Sequence, residues 1–481
     1  MNVLKNQLIK GEPMEPLSLF LSNLSTNLSP TAKNLLTVLS KDNIRDIAFK
    51  CKACIRERKF SLSSYLLGSL SKLCSSTRSS EFTLNDFHMN YNRNQDQALK
   101  MSHKCIHKQL DSDEALAVVK TIVEQSISLF SHKLAKKIKK YLSEDLNTIL
   151  DAIGVKDIIL IDGTEIDLQY SCAANFGCQG KGRDRLDGES ARPGAKLHVA
   201  YSLVQQTFIY IDISEAVGSE RDRVLKEYLK GCLLIADRGY IDEELEQSLS
   251  EEGIQFLIRG KVNTNGTIIE AFAEDGSRLN EYIGKKLKNL PKKLNCDVTI
   301  RTAKGNTLRI IHRYNPAAKV EDKISILRTN VRRDKLASKQ LYLLYRVRWN
   351  IELFNKANKS GNNLKSINSS KKNVILIFIL LSLLASIIKT FCGTKAVIKH
   401  EITNLSLLKL HKYNDLFDDF VNALAYKSRS TIYRIFKELL ANIAEFCTRT
   451  TPSQRDRILL KDLPLLFWQI ANQPGTSCKI A

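Results

Sequence analysis

The 481-residue sequence predicts an α/β fold: a mixed sheet covered by helices, interrupted by a β-rich insertion and flanked by helical segments at both ends. Three observations predict it. Between 151 and about 260, short apolar runs alternate with helix-like stretches. Between 261 and about 330, apolar and polar residues alternate on either side of Ala303-Lys304-Gly305-Asn306, the pattern of a β-hairpin. Before 150 and after 395, apolar residues recur at helical spacing.

Composition narrows the function classes. With 43% hydrophobic and 26% charged residues the chain is globular rather than disordered. A formal net charge of +22 points to a polyanionic partner, nucleic acid first. The first sixteen residues hold no uninterrupted apolar run, so no secretory signal is expected. The 11 cysteines are an odd number without a framework, which suits free thiols in a reducing compartment. Cys51, Cys54, His103, Cys105 and His107 lie in helix-like runs and read as packed residues rather than metal ligands. The apolar run Val374 to Ile388 is 15 residues long, shorter than a membrane span, and reads as a buried core helix.

Taken in order, residues 1–150 form a helical, DNA-binding domain. Ser29-Pro30 places a cap and a first-turn proline before a helix, and Arg56, Arg58, Lys59, Lys136, Lys137, Lys139 and Lys140 give basic faces suited to phosphates. Residues 151–395 form the catalytic domain, with the insertion at about 261–330. Its core runs strand (157–162), a Gly/Lys/Arg loop (177–194), two strands, a helix over 220–231, strand (232–237), helix and strand. Residues 396–481 are helical again and are expected to dimerise; they hold amphipathic runs at 416–426 and 432–447.

The chemistry centres on one predicted helix, Tyr345 to Lys359. At about 100° per residue, Tyr345, Arg348, Glu352 and Lys359 fall within one arc, while Val347, Ile351 and Phe354 share a packing face. A carboxylate thus stands among cations and a phenol. Two apolar strands each end in an aspartate, Asp162 and Asp237, where α/β folds place their sites. Three converging acids repel one another unless divalent cations neutralise them. Asp162, Asp237 and Glu352 are therefore the expected catalytic residues and the expected ligands of two Mg²⁺ ions, with Mn²⁺ as a substitute. Tyr345, Arg348 and Lys359 are placed to hold DNA phosphates. Arg238 is either a further phosphate ligand or a structural ion-pair partner. Glu165 and Asp167 lie beyond the first strand's end, Asp242 reads as a helix cap, and His198 as a packed strand histidine.

The spacing Tyr345-x2-Arg348-x3-Glu352-x6-Lys359 resembles the YREK signature of the insertion-sequence-4 family of DDE transposases at all four positions. The order of elements before it is similar to that family's RNase H-like core, with an insertion between the second Asp and the Glu. The resemblance implies a magnesium-dependent DNA transposase that cuts the terminal inverted repeats of its own element, joins 3′-hydroxyls to target DNA, and acts as a dimer on double-stranded DNA. The absence of targeting signals and the shortness of the apolar run lead to the expectation of a cytoplasmic, nucleoid-associated bacterial protein with no membrane partner. Some family members pass through a hairpin, with a Trp of the insertion stacked on a flipped base. Here Trp349 and Trp468 both lie outside the insertion, leaving Phe256, Phe272, Tyr282 or Tyr314 as candidates. Two other readings stay open: a non-catalytic DNA-binding protein derived from a transposase, and a metal-dependent nuclease.

Overall fold

The computed structural model describes residues 35–54, 60–74, 84–129, 144–176, 193–205, 207–216, 219–317, 323–361, 369–402, 405–412 and 415–448. Ser29-Pro30, Trp468, almost all of the Gly/Lys/Arg loop and the basic residues at 56–59 and 136–140 lie outside this set.

Among the described residues seven helices precede the sheet: α1 (Leu35–Val38), α2 (Lys41–Lys50), α3 (Leu62–Cys74), α4 (Leu84–Arg93), α5 (His103–Leu110), α6 (Asp113–Ser128) and α7 (Glu144–Ile153). Their starts follow capping chemistry. The Ser40 hydroxyl accepts from the Asn43 amide at 3.2 Å, and the Ser112 hydroxyl accepts from that of Ala115 at 3.1 Å. The sheet then begins with β1 (Asp157–Asp167), followed by the short α8 (Ala173–Phe176), β2 (Gly194–Ser202), β3 (Thr207–Glu215), β4 (Cys232–Ala236), α9 (Glu243–Glu251) and β5 (Gln255–Arg259). The insertion supplies β6 (Thr267–Ala273), β7 (Cys296–Arg301), β8 (Thr307–Tyr314) and β9 (Ile324–Thr329). Six helices close the described chain: α10 (Ser338–Tyr345), α11 (Trp349–Gly361), α12 (Lys372–His400), α13 (Leu407–Lys412), α14 (Asp415–Tyr426) and α15 (Arg429–Phe446).

All nine strands form one mixed sheet in the order β3-β2-β1-β4-β5-β9-β8-β7-β6. The first five carry an RNase H-like order, with β1, β4 and β5 parallel and β1-β2-β3 an antiparallel meander. The insertion continues this sheet: β9 pairs with β5 through Leu257–Thr329, Ile258–Arg328 and Arg259–Leu327. The expected hairpin is present as β7-β8.

Period-two alternation sends successive residues to opposite faces, so the sheet separates two cores. Ile158, Leu160, Leu233, Ile235 and Leu257 face the helices, whereas Ile159, Ile161, Leu234, Phe256 and Ile258 face a second cluster capped by α9. The helix-side core is centred on α12, which packs against α3 and α6 from the N-terminal helices and α15 from the C-terminal ones. α12 is 29 residues long and apolar enough to cross a membrane by length and composition, so the shorter span expected from sequence is corrected. Its most apolar stretch is wholly buried inside the protein, and burial rather than brevity makes it a core helix.

A second correction concerns 220–231. The expected helix is instead two 3₁₀ turns, Arg221–Arg223 and Lys226–Tyr228, with extended Val224 and Leu225 between them. Arg221 pairs with Asp242 at 3.3 Å and Arg223 with the buried Asp212 at 3.1 Å, partners from elements distant in sequence.

Candidate active site

Sheet register sets the first two acids. In the parallel pair β1-β4 the last partners are Leu160 and Ile235. Asp162 and Asp237 each lie two residues beyond that last pair, along neighbouring strands of the sheet. The sequence places Asp162 at the end of its strand, and the structure corrects this. β1 continues to Asp167 because its antiparallel pairing with β2 outlasts its parallel pairing with β4. Glu165 and Asp167 are thus part of the strand too, on exposed positions, and Glu165 lies 3.9 Å from Lys196. Asp237 leads directly into a 3₁₀ turn, Arg238–Tyr240.

The third acid arrives on α11. The predicted helix 345–359 is broken: α10 ends at Tyr345, residues 346–348 form a 3₁₀ turn, and α11 starts at Trp349. At the break the Asn350 side-chain amide donates to the Val347 carbonyl at 2.8 Å. The packing face survives, with Val347, Ile351 and Phe354 all buried. Phe354 meets Phe208 edge-on at 4.3 Å between ring centroids, which docks α11 against the meander.

This docking puts Glu352 within electrostatic reach of Asp162. The Arg348 guanidinium donates to the Glu352 carboxylate and also lies over the Tyr345 ring, 5.8 Å from its centroid. Asn355 Nδ2 donates to Asp162 Oδ2 at 2.8 Å. Burial pushes the Asp162 carboxyl up to about 6, with Arg348 and Asn355 pulling it down and the Glu352 and Glu220 carboxylates raising it further. Burial also raises the Tyr345 hydroxyl above its ordinary range, and its oxygen has no hydrogen-bond partner among the described residues.

The remaining expectations are placed as follows. Lys359 lies on α11, half-buried. Arg238 is exposed beside Asp237 and forms no ion pair among the described residues. Asp242 caps α9, accepting from the Glu244 and Leu245 amides at 3.0 and 2.9 Å. His198 is a packed strand histidine, with Nε2 2.7 Å from the Ser214 hydroxyl. The nine described cysteines are free thiols. Of the stacking candidates, Phe256 is 0% exposed within β5 and is unavailable to a base, whereas Phe272, Tyr282 and Tyr314 are half-buried.

Two residues of the site were not foreseen. Asn355 falls in the same arc as Arg348 and Glu352 at about 100° per residue, so the helical wheel held its signal. Glu220 carries none, because it comes from a loop.

Among the described residues no three His, Cys, Asp or Glu side chains stand together as a ready ligand set; Arg348 engages Glu352, and Asn355 engages one oxygen of Asp162. The donor chemistry nonetheless suits a hard divalent cation. The acids offer carboxylate oxygens only, and the desolvated Asp162 carries like charges beside it that a cation would relieve.

Residues 153–388 match the family model described as the transposase DDE domain. The chain is also similar to the transposase for insertion sequence element IS1151 of Clostridium perfringens, 24% identical over 304 residues, covering 54% of this chain. The match spans 64% of that relative's length.

Proposed function

We propose that this chain, which carries a transposase DDE domain across residues 153–388, is a DNA transposase that cuts at the terminal inverted repeats of its own element and joins the freed 3′-hydroxyls to target DNA. One observation supports the reading: Asp162 and Asp237 follow the paired residues of the neighbouring strands β1 and β4, and α11, the helix of Glu352, reaches Asp162 through Asn355. The spacing of Tyr345, Arg348, Glu352 and Lys359 supports placing the chain in the insertion-sequence-4 family.

Asp162, Asp237 and Glu352 would hold Mg²⁺, or Mn²⁺ in its place. When bound, such ions activate a water or 3′-hydroxyl and stabilise the leaving oxygen of an in-line phosphoryl displacement. The chain's own groups do the rest. Asn355 orients the Asp162 carboxylate, and Arg348 holds Glu352 until DNA arrives. A phosphate oxygen is the natural partner for the buried Tyr345 hydroxyl, and Arg348, Lys359 and Arg238 supply the opposing charge. The net charge of +22 supports an extended DNA footprint, and the reading includes a homodimer on paired ends.

The engagement of Glu352 by Arg348, with no ready ligand set among the described residues, favours a second reading: a DNA-binding protein that no longer cuts. A cleavage assay separates them. DNA carrying the ends of the protein's own element is incubated with Mg²⁺ or EDTA, beside Asp237→Ala. Metal-dependent nicking at the element boundary that Asp237→Ala abolishes is the expected result. End-specific binding with no cut in Mg²⁺ or Mn²⁺ establishes the second reading, and cutting that ignores the ends establishes a nuclease.

A further inference from the structure

Glu220 enters the site between two glycines. A Cβ added at Gly163 would sit 2.7 Å from Glu220 Oε1, and one added at Gly239 would sit 3.0 Å from Glu220 Oε2. Gly163 directly follows Asp162, and Gly239 lies two residues beyond Asp237. Each oxygen of this one carboxylate is therefore seated against the backbone of a different acid-bearing segment. The seat exists only because neither position has a side chain.

The loop that delivers Glu220 is fixed from both sides. Arg221 reaches forward to the turn after Asp237, donating from Nε to the Gly239 carbonyl at 3.4 Å and pairing with Asp242 at 3.3 Å. Arg223 reaches back to Asp212 on β3 at 3.1 Å. Lys196 on β2 neutralises Glu220, with Nζ 3.0 Å from Oε1; the two side chains are 13% and 23% exposed. The nearness of Glu220 to the Asp162 carboxylate is the like-charge contact already described.

We propose that Glu220, paired with Lys196, is a positioning residue of the active site, a carboxylate wedge between Gly163 and Gly239 that sets the separation of Asp162 from Asp237. Lys196 removes most of its charge, so the wedge acts by its shape and hydrogen bonding more than by its field. The inference rests on the transposase reading for its consequence in catalysis, whereas the wedge itself is a property of the free protein.

The test uses the full chain with Glu220→Ala, Glu220→Gln and Gly163→Ala. Mn²⁺ binding is followed by electron paramagnetic resonance, thermal unfolding is recorded beside it, and single-turnover cleavage of end DNA is measured. Glu220→Ala removes the wedge and Gly163→Ala displaces it. Both should weaken Mn²⁺ binding about tenfold and slow cleavage about tenfold, with DNA affinity and melting temperature unchanged. Glu220→Gln keeps the shape and should stay within about threefold of wild type. Wild-type Mn²⁺ affinity in both Glu220→Ala and Gly163→Ala overturns the proposal, as does a loss in Glu220→Ala that only tracks a fall in melting temperature. Wild-type protein that binds Mn²⁺ but never cuts overturns the transposase reading and leaves the wedge to be judged on binding alone. Wild-type protein that binds no Mn²⁺ overturns both.

Discussion

Asn355 on α11 donates to Asp162 on β1 at 2.8 Å, joining the helix of Glu352 to the strand of the first acid across 193 positions of sequence. Removing that amide frees one Asp162 oxygen without adding charge. Asn355→Ala should slow end cleavage about 10- to 100-fold while leaving DNA binding intact, the usual scale for a group that orients a ligand. Gel-shift and single-turnover assays on the same preparation check it, and equal losses in both would show a folding defect instead.

Tyr345 and Arg348 lie just before α11, at the end of α10 and in the 3₁₀ turn between the helices. Arg348→Lys keeps a charge but loses the planar fork that reaches Glu352. It should retain DNA binding and lose cleavage about tenfold, and Arg348→Ala should lose more. Tyr345→Phe deletes a buried oxygen that has no partner among the described residues. Stability should hold or rise by up to about 1 kcal/mol, while DNA affinity falls. Chemical denaturation and a binding titration give the two numbers.

Acid should destabilise the fold. Burial lowers His198 and His411 from an ordinary 6.5 to about 3, and His88 to about 4. The unfolded chain binds these protons first, so their contribution is fully present above pH 6.5 and drains away as pH falls toward 3 to 4. Each should cost about 2 kcal/mol between pH 6.5 and 5. The Glu124 and Asp162 carboxyls, raised by burial to about 7 and about 6, act in the opposite sense over the same window. Urea unfolding at pH 7.5 and pH 5 measures the net change, and His411→Gln should shift it by about 2 kcal/mol toward greater stability at pH 5 relative to pH 7.5. A change identical to wild type in His411→Gln would refute the assignment.

The β-rich extension depends on buried ion pairs. Arg309 pairs with Asp297 at 2.5 Å and donates to the carbonyls of Val331 and Leu336, and Arg328 pairs with Glu246 on α9 at 2.6 Å. Removing Arg328 strands the buried Glu246 charge, whereas Asp297 keeps Arg333 at 3.1 Å when Arg309 is removed. Arg328→Met should cost about 3–5 kcal/mol, and Arg309→Met less. Replacing Arg328 and Glu246 together by apolar residues should cost much less, which a double-mutant cycle measures directly.

Much of this fold was legible because strand and helix periodicities act locally. The runs at 157–162, 232–237 and 255–259 were identifiable as strands, and so was the hairpin at 296–314, since their side chains alternate or are uniformly apolar. The 220–231 stretch was misread because its residues favour helix, and Asp242 and Asp212, the partners of Arg221 and Arg223, are distant in sequence. Glu352's face was legible from spacing, and Asn355 was present in the same arc. Glu220 was not legible, since its place depends on two glycines far away in sequence. The extent of β1 beyond Asp162 was hidden for a similar reason: strand ends are set by partners, and β2 is longer than β4.

The continuous sheet also makes a ruler. From β4, which leads to Asp237, to β6 at the far edge are five strand intervals, about 24 Å at the usual spacing. A duplex laid across the strands would advance about 7 base pairs over that distance. Edge to edge, eight intervals give about 38 Å, close to one helical turn of DNA. Because β9 hydrogen-bonds to β5 with no gap, the spacing of β6 and β7 from β4 is fixed by backbone geometry.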